Sequence, residues 1–245
     1  EAQSWVYTPG QQGEMDQLLA DLRGVDERSR QAQPGWREKL DAWTAELQRG
    51  QIEWRPLVAT ETDSTGGLNH PVQLSDLSIL TVGHPTVKGG IYVISQPPLE
   101  GATGMRVEAL THGDLPFGGP GHSRYGTWAL TELEVFVQPP GSEKWETVGL
   151  QNATADFSES TRGLEPEWKA PSIDPDGLRT CGPVAFLIDG NENTAWRADR
   201  GPGRRNQESV AVVQFEHPLT YPSGTRLKVL YTMNHGEDTT GRGST

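Results

Sequence analysis

The chain has 245 residues, of which 29 are glycine and 18 are proline, and its formal net charge is −12. That length suits one large all-β domain, or a domain of about 190 residues with an appendage. The many glycines and prolines favour short strands and turns over a helical bundle. The negative charge argues against a nucleic-acid partner, because it repels the phosphate backbone. We expect no membrane insertion, since no apolar run approaches the roughly 18 residues of a membrane span.

Residues 1–50 differ from the rest of the chain and predict a helical hairpin. Two apolar stripes repeat there at helical spacing, one made of Met15, Leu18, Leu19, Leu22 and Val25, the other of Trp36, Leu40, Trp43 and Leu47. Gly50 follows the second stripe, as expected of a residue that ends a helix. We expect the tryptophans of this appendage to pack on the neighbouring domain, residues 51–245.

From residue 52 onward the apolar residues recur with a period of two, which predicts β-strands. The pattern is clearest in five segments: Ile91–Gln96, Gly104–Leu110, Trp128–Val137, Val210–Glu216 and Thr225–Thr232. Turn clusters separate these segments, and no helix of useful length is predicted after residue 50. The pattern predicts an all-β sandwich, in which residues 152–183 cross between the sheets as a long loop with one or two short strands.

The sequence contains no recognisable catalytic motif. None of the six histidines lies in an HExxH motif, and no GxSxG motif is present. The glycine-rich segment 118–126 is followed neither by a Lys-Ser/Thr pair nor by a predicted helix, so it does not match a phosphate-binding loop. The single cysteine, Cys181, excludes an internal disulfide. We expect no enzymatic activity.

A polar stretch lies between apolar residues shortly after the long loop. Five of the six residues from Asp189 to Thr194 carry side-chain oxygens, which are the ligands that calcium prefers. An EF-hand is excluded, because Thr194 stands in place of its glycine and Arg200 in place of its last glutamate. Spacing alone leaves two alternatives, a polar turn closed by Asx hydrogen bonds or a calcium site of another kind.

The segment AFLIDGNENTAW, Ala185–Trp196, resembles the A-x-DG-N/D-x-x-T-x-W signature of discoidin-type domains, the factor V/VIII C-terminal family. Ala102–Val135 is similar to the strands of this family, and NATADFSES, residues 152–160, to the start of its domains. The two halves occur in swapped order, which looks like the sandwich domain of large planctomycete surface proteins with a cytochrome-c-like region. The resemblance covers about residues 52–242. It implies a galactose-binding-like jelly-roll β-sandwich, preceded here by the helical hairpin.

Two positions depart from the pattern of this family. His122 stands where the family usually has an arginine after GPG. The last strand of the family would follow Arg242, but the chain reads GST there, so we expect this strand to be missing.

The resemblance also implies a metal site. Domains of this family often hold a structural calcium beside the DG-N loop. By position, it implies Asp189, Asn191 and Thr194 as ligands, with Glu132 as a distant carboxylate. It further implies that Trp196 lies in the core.

Carbohydrate-binding modules of this fold bind through loops at one end of the sandwich. An aromatic face meets the C–H surface of the sugar, and planar polar side chains bind its hydroxyls. Arginines of the loops can bind an anionic glycan. The candidate loops carry such groups at His122, Arg124, Tyr125, Trp128, Trp168, Arg204 and Arg205.

The sequence therefore predicts a non-catalytic module that binds a polysaccharide. We expect it in a secreted or surface bacterial protein, located outside the cell, on its surface or in the periplasm. The alternative is a structural or interaction domain that spaces neighbouring domains of a larger chain and binds no glycan. A catalytic β-sandwich, such as a lyase, is a weaker option.

Overall fold

Contacts between residues divide the chain into two units, Glu1–Glu53 and Trp54–Thr245. The boundary predicted from sequence, after residue 50, lies close to this division. The structure is a computed structural model, and it describes residues 8–50, 52–66, 69–83, 88–123, 125–164, 174, 176–235 and 242–244.

The first unit contains two helices, α1 (Pro9–Gln31) and α2 (Trp36–Arg49). Thr8 caps α1 through a reciprocal exchange of hydrogen bonds with Gln11, which satisfies two backbone donors that a helix start leaves free. No residue of either helix is buried. The predicted packing of the tryptophans on the β unit stays a prediction.

The second unit is mostly β. Its described strands are β1 Ala59–Ser64, β2 Asn69–Gln73, β3 Ile79–Gly83, β4 Gly89–Ser95, β5 Ala102–Ala109, β6 Glu132–Gln138, β7 Glu146–Val148, β8 Leu150–Ala155, β9 Arg162–Gly163, β10 Thr180–Gly182, β11 Thr194–Trp196, β12 Ser209–Leu219, β13 Arg226–Met233 and β14 Arg242–Ser244. A five-stranded sheet has the order β1-β4-β13-β6-β7, and a six-stranded sheet the order β2-β3-β14-β5-β12-β8. Their strands pair antiparallel, whereas β10 of a small third sheet is parallel to β11 and antiparallel to β9.

One hydrophobic core joins the two larger sheets. In β6 and β13, every second residue is buried and those between are half-buried or exposed, which confirms the alternation predicted from the sequence. Buried residues of both sheets belong to one cluster, an arrangement consistent with a β-sandwich. Members from the five-stranded sheet include Val93, Leu133, Val135 and Val229, and members from the six-stranded sheet include Met105, Val107, Val213 and Phe215.

Several described strands were not among the five predicted segments, and β1 and β2 of these lie at sheet edges. Among the described strands, β1, which reads ATETDS, pairs only with β4. Likewise β2, which contains Pro71, has β3 as its one described neighbour. An edge strand tolerates proline, because the missing N–H removes no bond to a second neighbour.

The expectation that the last strand is missing is wrong. Arg242–Ser244 forms β14, which pairs antiparallel with β3 on one side and β5 on the other. Three residues are too short to show a period of two, so the sequence carries no pattern for this strand.

The loop between β5 and β6 depends on close backbone approaches at its glycines. A Cβ at Gly119 would overlap the backbone of Gly126, and a Cβ at Gly121 would overlap the carbonyl oxygen of Thr127. The N–H of Gly121 donates to the carbonyl of Gly126 at 3.0 Å. Glycine is therefore required where the two halves of this loop touch.

We predict that Gly121→Ala lowers the free energy of unfolding by at least about 2 kcal/mol, because the new methyl group meets backbone atoms that cannot move aside. Gly113→Ala is the matched control, since a Cβ there meets open space, and we expect it to change stability by no more than about 0.5 kcal/mol. Urea denaturation measures both. Equal stability of the two variants would contradict the prediction.

Candidate functional site

The polar stretch Asp189–Thr194 forms a turn closed by Asx hydrogen bonds. The Asn191 N–H donates to Asp189 Oδ1 at 2.9 Å, and the Asn193 N–H donates to Asn191 Oδ1 at 3.1 Å. Trp196 follows in β11 and is 0% exposed, which confirms its expected place in the core. Its ring packs edge-on against Trp128, with the ring centroids 4.6 Å apart.

Glu132 of β6 reaches this turn from a distant part of the chain. Its Oε1 accepts the Asn191 N–H at 2.8 Å, the same donor that contacts Asp189. The Thr194 hydroxyl donates to Asp189 Oδ2 at 2.8 Å. The structure thus brings together Glu132, Asp189, Asn191 and Thr194, which were the predicted metal ligands.

The two carboxylates of this cluster carry like charge and lie side by side. Burial raises the pKa of Glu132, and a hydrogen bond with the Asp189 carboxylate raises it further, to about 7. A carboxyl group so placed either keeps a proton or requires a cation.

Calcium takes six to eight hard oxygens. The two carboxylates carry four oxygens, of which Glu132 Oε1 accepts the Asn191 N–H and both Asp189 oxygens accept from the Thr194 hydroxyl. The Asn191 carbonyl and the Thr194 hydroxyl lie 2.9 Å apart beside them, whereas Asn191 Oδ1 already accepts the Asn193 N–H. Among the described residues, no group of three or more His, Cys, Asp or Glu side chains is gathered as for a metal. A cation at this cluster would therefore also need backbone, hydroxyl or water oxygens as ligands.

His235 supports the turn from behind and was not singled out in the sequence. It is buried, its Nε2 lies 3.3 Å from the Asn193 carbonyl oxygen, and its Nδ1 lies 3.1 Å from Thr131 Oγ1. Because a carbonyl only accepts, we assign the proton to Nε2, and the Thr131 hydroxyl then donates to Nδ1. Burial lowers the pKa of His235 to about 4, so the neutral ring joins the turn to the start of β6.

A second cluster lies where the β5–β6 loop meets the loop before β12. The Arg205 guanidinium lies 5.0 Å from the centroid of the Tyr125 ring, a cation–π contact. The Asn206 side chain donates to the carbonyl of Phe117. The Phe117 side chain is 75% exposed, and its backbone has a φ of +54°. A bulky residue rarely adopts this conformation, so the loop holds an aromatic ring in solvent at a cost in backbone strain.

Buried ion pairs hold the loop before β12 in place. The side chain of Asp199 is only 2% exposed. Its carboxylate oxygens lie 3.2 Å from guanidinium nitrogens of Arg162, Arg197 and Arg205. Burial acts to raise the pKa of Asp199, but the Gly201 N–H and the guanidinium groups outweigh it and keep that pKa below its usual value. Arg205 therefore has a fixed position between Asp199 and Tyr125.

The other predicted ligand-binding residues differ in their placement. Trp128 is 2% exposed, so its ring belongs to the core and is unavailable to a ligand at the surface; the sequence grouped it with its polar neighbours in the same loop. His122 is half-buried, and its Nε2 lies 3.1 Å from the carbonyl oxygen of Thr81. Arg204 is exposed. Arg124 and Trp168 lie outside the described residues.

Comparisons with known proteins add no relative. A scan against family models, a search of curated proteins and a search of solved structures each returned no match. Within the described parts of the chain, no helix has both the length and the apolar character needed to cross a membrane.

We predict that the contribution of Glu132 to the free energy of unfolding of the calcium-free protein decreases as pH rises from 4.5 towards 7. Its folded pKa of about 7 lies above the ordinary value of 4.5, so the folded state binds more protons in that window and is favoured at its acidic end. Glu132→Gln should remove this component. Urea unfolding with chelator, measured across the window, checks it.

Glu134→Gln is the matched control, since Glu134 is exposed two residues along the same strand. It should keep the pH dependence of the wild type. Parallel profiles for wild type and Glu132→Gln would contradict the prediction.

Proposed function

We propose that the β unit is a non-catalytic carbohydrate-binding module of a secreted or surface bacterial protein, with a discoidin-like, galactose-binding-like jelly-roll fold. Two antiparallel sheets around one core support the fold. So does the turn of the family signature, with Trp196 in the core and Glu132 beside Asp189. The proposed location is outside the cell, on its surface or in the periplasm.

Phe117 is the observation that carries the proposed binding. An aromatic ring 75% exposed on a strained loop has no packing role that would account for the strain. Sugars bind to such rings through their C–H faces, and planar polar groups beside the ring bind their hydroxyls. Tyr125 and Arg205 lie where the β5–β6 loop meets the loop before β12, and the exposed Arg204 precedes Arg205 in the chain. We propose that this surface binds a polysaccharide, with His122, Arg124 and Trp168 as further candidates from the sequence.

We predict that Phe117→Ala weakens polysaccharide binding by about tenfold or more, as expected for an aromatic residue at the centre of a binding surface. Val72→Ala is the control, because Val72 is an exposed apolar residue of the edge strand β2 and should leave binding unchanged. Affinity gel electrophoresis in a panel of neutral and anionic polysaccharides measures the dissociation constants.

Retardation of the wild type by none of these polymers would overturn the binding function. Retardation that Phe117→Ala leaves intact would remove the loop surface from the proposal.

We also propose that the cluster around Glu132 and Asp189 holds a structural calcium, with Thr194 and oxygens of Asn191 beside the carboxylates. A bound cation would neutralise the carboxylate pair and fix the turn. The two carboxylates support this proposal, because the fold brings Glu132 and Asp189 together from segments far apart in sequence although their charges repel.

Calcium added after chelation should raise the melting temperature of the wild type by a few degrees, because an ion that binds only the folded state stabilises it. Glu132→Gln should abolish this rise and Glu134→Gln should keep it. Differential scanning calorimetry measures the melting temperatures of the wild type and both variants. A wild-type melting temperature that neither chelator nor calcium changes would exclude the site.

A second candidate function is a structural or interaction role as a spacer between neighbouring domains of a larger chain. The helical unit favours it, because the apolar side chains of α1 and α2 are exposed there, among them Leu18, Leu22, Val25, Leu40 and Trp43. Exposed apolar stripes on helices are typical of surfaces that contact another protein. This role would stand alone if no polysaccharide binds.

A further inference from the structure

The outward face of the five-stranded sheet carries several apolar side chains among its charged and polar ones. Strand alternation places Val93 and Ser95 of β4 inward, and Tyr92 and Ile94 outward. Ile94 is nevertheless 4% exposed, so neighbouring side chains cover it. Phe136 of β6, Leu230 of β13 and Trp145, which precedes β7, add further apolar surface to the same face.

Three of these side chains, Tyr92, Ile94 and Trp145, line a groove of about 420 Å³ together with Glu61, Arg226 and Lys228. Its volume lies in the range of small-ligand sites, roughly 300 to 1,000 Å³. The strand register explains how the groove forms, because Lys228 lies opposite Ile94 on one side and opposite Phe136 on the other. The groove therefore has an apolar floor, and aromatic rings stand on strands to both sides of β13.

The charged groups of the groove are not equally engaged. The Arg226 guanidinium lies 3.2 Å from Glu61 Oε2 and donates to Gln138 Oε1 at 2.9 Å. The Tyr92 hydroxyl donates to the other oxygen of Glu61 at 3.0 Å. One carboxylate thus serves two donors, and the Arg226 guanidinium, which also lies 5.2 Å from the centroid of the Trp145 ring, already has polar partners on Glu61 and Gln138.

Lys228 differs from Arg226. Its ammonium lies 4.6 Å from the centroid of Phe136 and 4.8 Å from that of Trp145. Within the described part of the chain it forms no ion pair or hydrogen bond. Two cation–π contacts hold the ammonium in position and leave its N–H groups free to donate to an anion. The groove has two cations for one carboxylate, in a chain whose net charge is −12.

We propose that this groove binds an acidic sugar of a polysaccharide, with Lys228 binding the anionic group, carboxylate or sulfate, and with Tyr92, Ile94 and Trp145 contacting the apolar face of the ring. The proposal rests on the proposed function for the polymer, but the site is a different one from the loop surface around Phe117. The sequence showed no sign of it, since Tyr92, Trp145 and Lys228 come from three separate segments and meet only through the strand register.

A purely structural role would give different results. Cross-strand pairs of cations and aromatic rings stabilise sheets without any ligand, and then Lys228 would affect stability alone. Lys228→Met separates the two, because methionine keeps an unbranched stem over Ile94 and loses the charge. Lys144→Met is the matched control, since Lys144 is exposed beside Trp145, does not line the groove and carries the same charge.

The experiment is affinity electrophoresis of wild type, Lys228→Met, Lys144→Met and Phe117→Ala in polygalacturonate, in its methyl ester, in a sulfated galactan and in a neutral galactan. Melting temperatures confirm that each variant is folded. We expect Lys228→Met to weaken binding to an anionic polymer by about tenfold or more, and Lys144→Met to change it by less than about twofold. We also expect the methyl ester to bind more weakly than polygalacturonate. Loss on polygalacturonate identifies a carboxylate ligand, and loss on the sulfated galactan a sulfate.

The outcomes separate this proposal from the binding function itself. Equal binding of Lys228→Met and Lys144→Met to every anionic polymer would overturn the groove site, while loss of binding in Phe117→Ala would still support the loop surface. Loss in Lys228→Met but not in Phe117→Ala would support the groove and remove the loop surface. If no polymer, neutral or anionic, retarded the wild type, both would be excluded.

Discussion

Two reciprocal hydrogen bonds between Leu130 and Trp196 determine the arrangement of the loops. The Leu130 N–H donates to the Trp196 carbonyl at 3.0 Å, and the Trp196 N–H donates back at 2.9 Å. This bridge joins β11 to the segment leading into β6. The bridge places the Trp196 ring beside Trp128 and the start of β6, with Glu132, beside the Asp189 turn. One backbone contact thus links a tryptophan pair of the core to the carboxylate cluster.

A buried charge network extends from this bridge. Arg197 follows Trp196 directly, and with Asp199 it lies almost entirely out of solvent. Removing either partner of a buried pair leaves an uncompensated charge, which is more costly than the pair itself is stabilising. The network therefore fixes the conformation of the loop before β12 more than it raises the stability of the fold. It also holds Arg205 against the Tyr125 ring. A rigid support of this kind suits a surface whose ligand must meet fixed side chains.

The sequence predicted those features that depend on local pattern. The alternation of β6 and β13 follows from the period of two, and the burial of Trp196 was implied by the resemblance. For Asp189–Thr194 the sequence left a polar turn and a calcium site as alternatives. The short strand β14 and the edge strand β1 were missed, since neither carries an apolar pattern. Trp128 was wrongly proposed as a ligand-binding residue, because it follows the polar residues of the loop as well as beginning the predicted strand segment Trp128–Val137, and the sequence gives no sign that it packs on Trp196. Phe117 combines an exposed ring with a positive φ, and the groove around Lys228 depends on register across strands. Neither feature produces a pattern in the neighbouring residues of the sequence.

The position of β14 also has a consequence for the order in which the unit assembles. β3 pairs with β2, and β5 with β12, using residues no later in the chain than Leu219. Among the described strands, these two halves of the six-stranded sheet are joined only through Arg242–Ser244. During synthesis the edges of β3 and β5 therefore stay unpaired until β14 has been made. Closure of the sheet is a late event, in which strands far apart in sequence pair with each other. Such closure slows folding and leaves two strand edges open to other chains in the meantime.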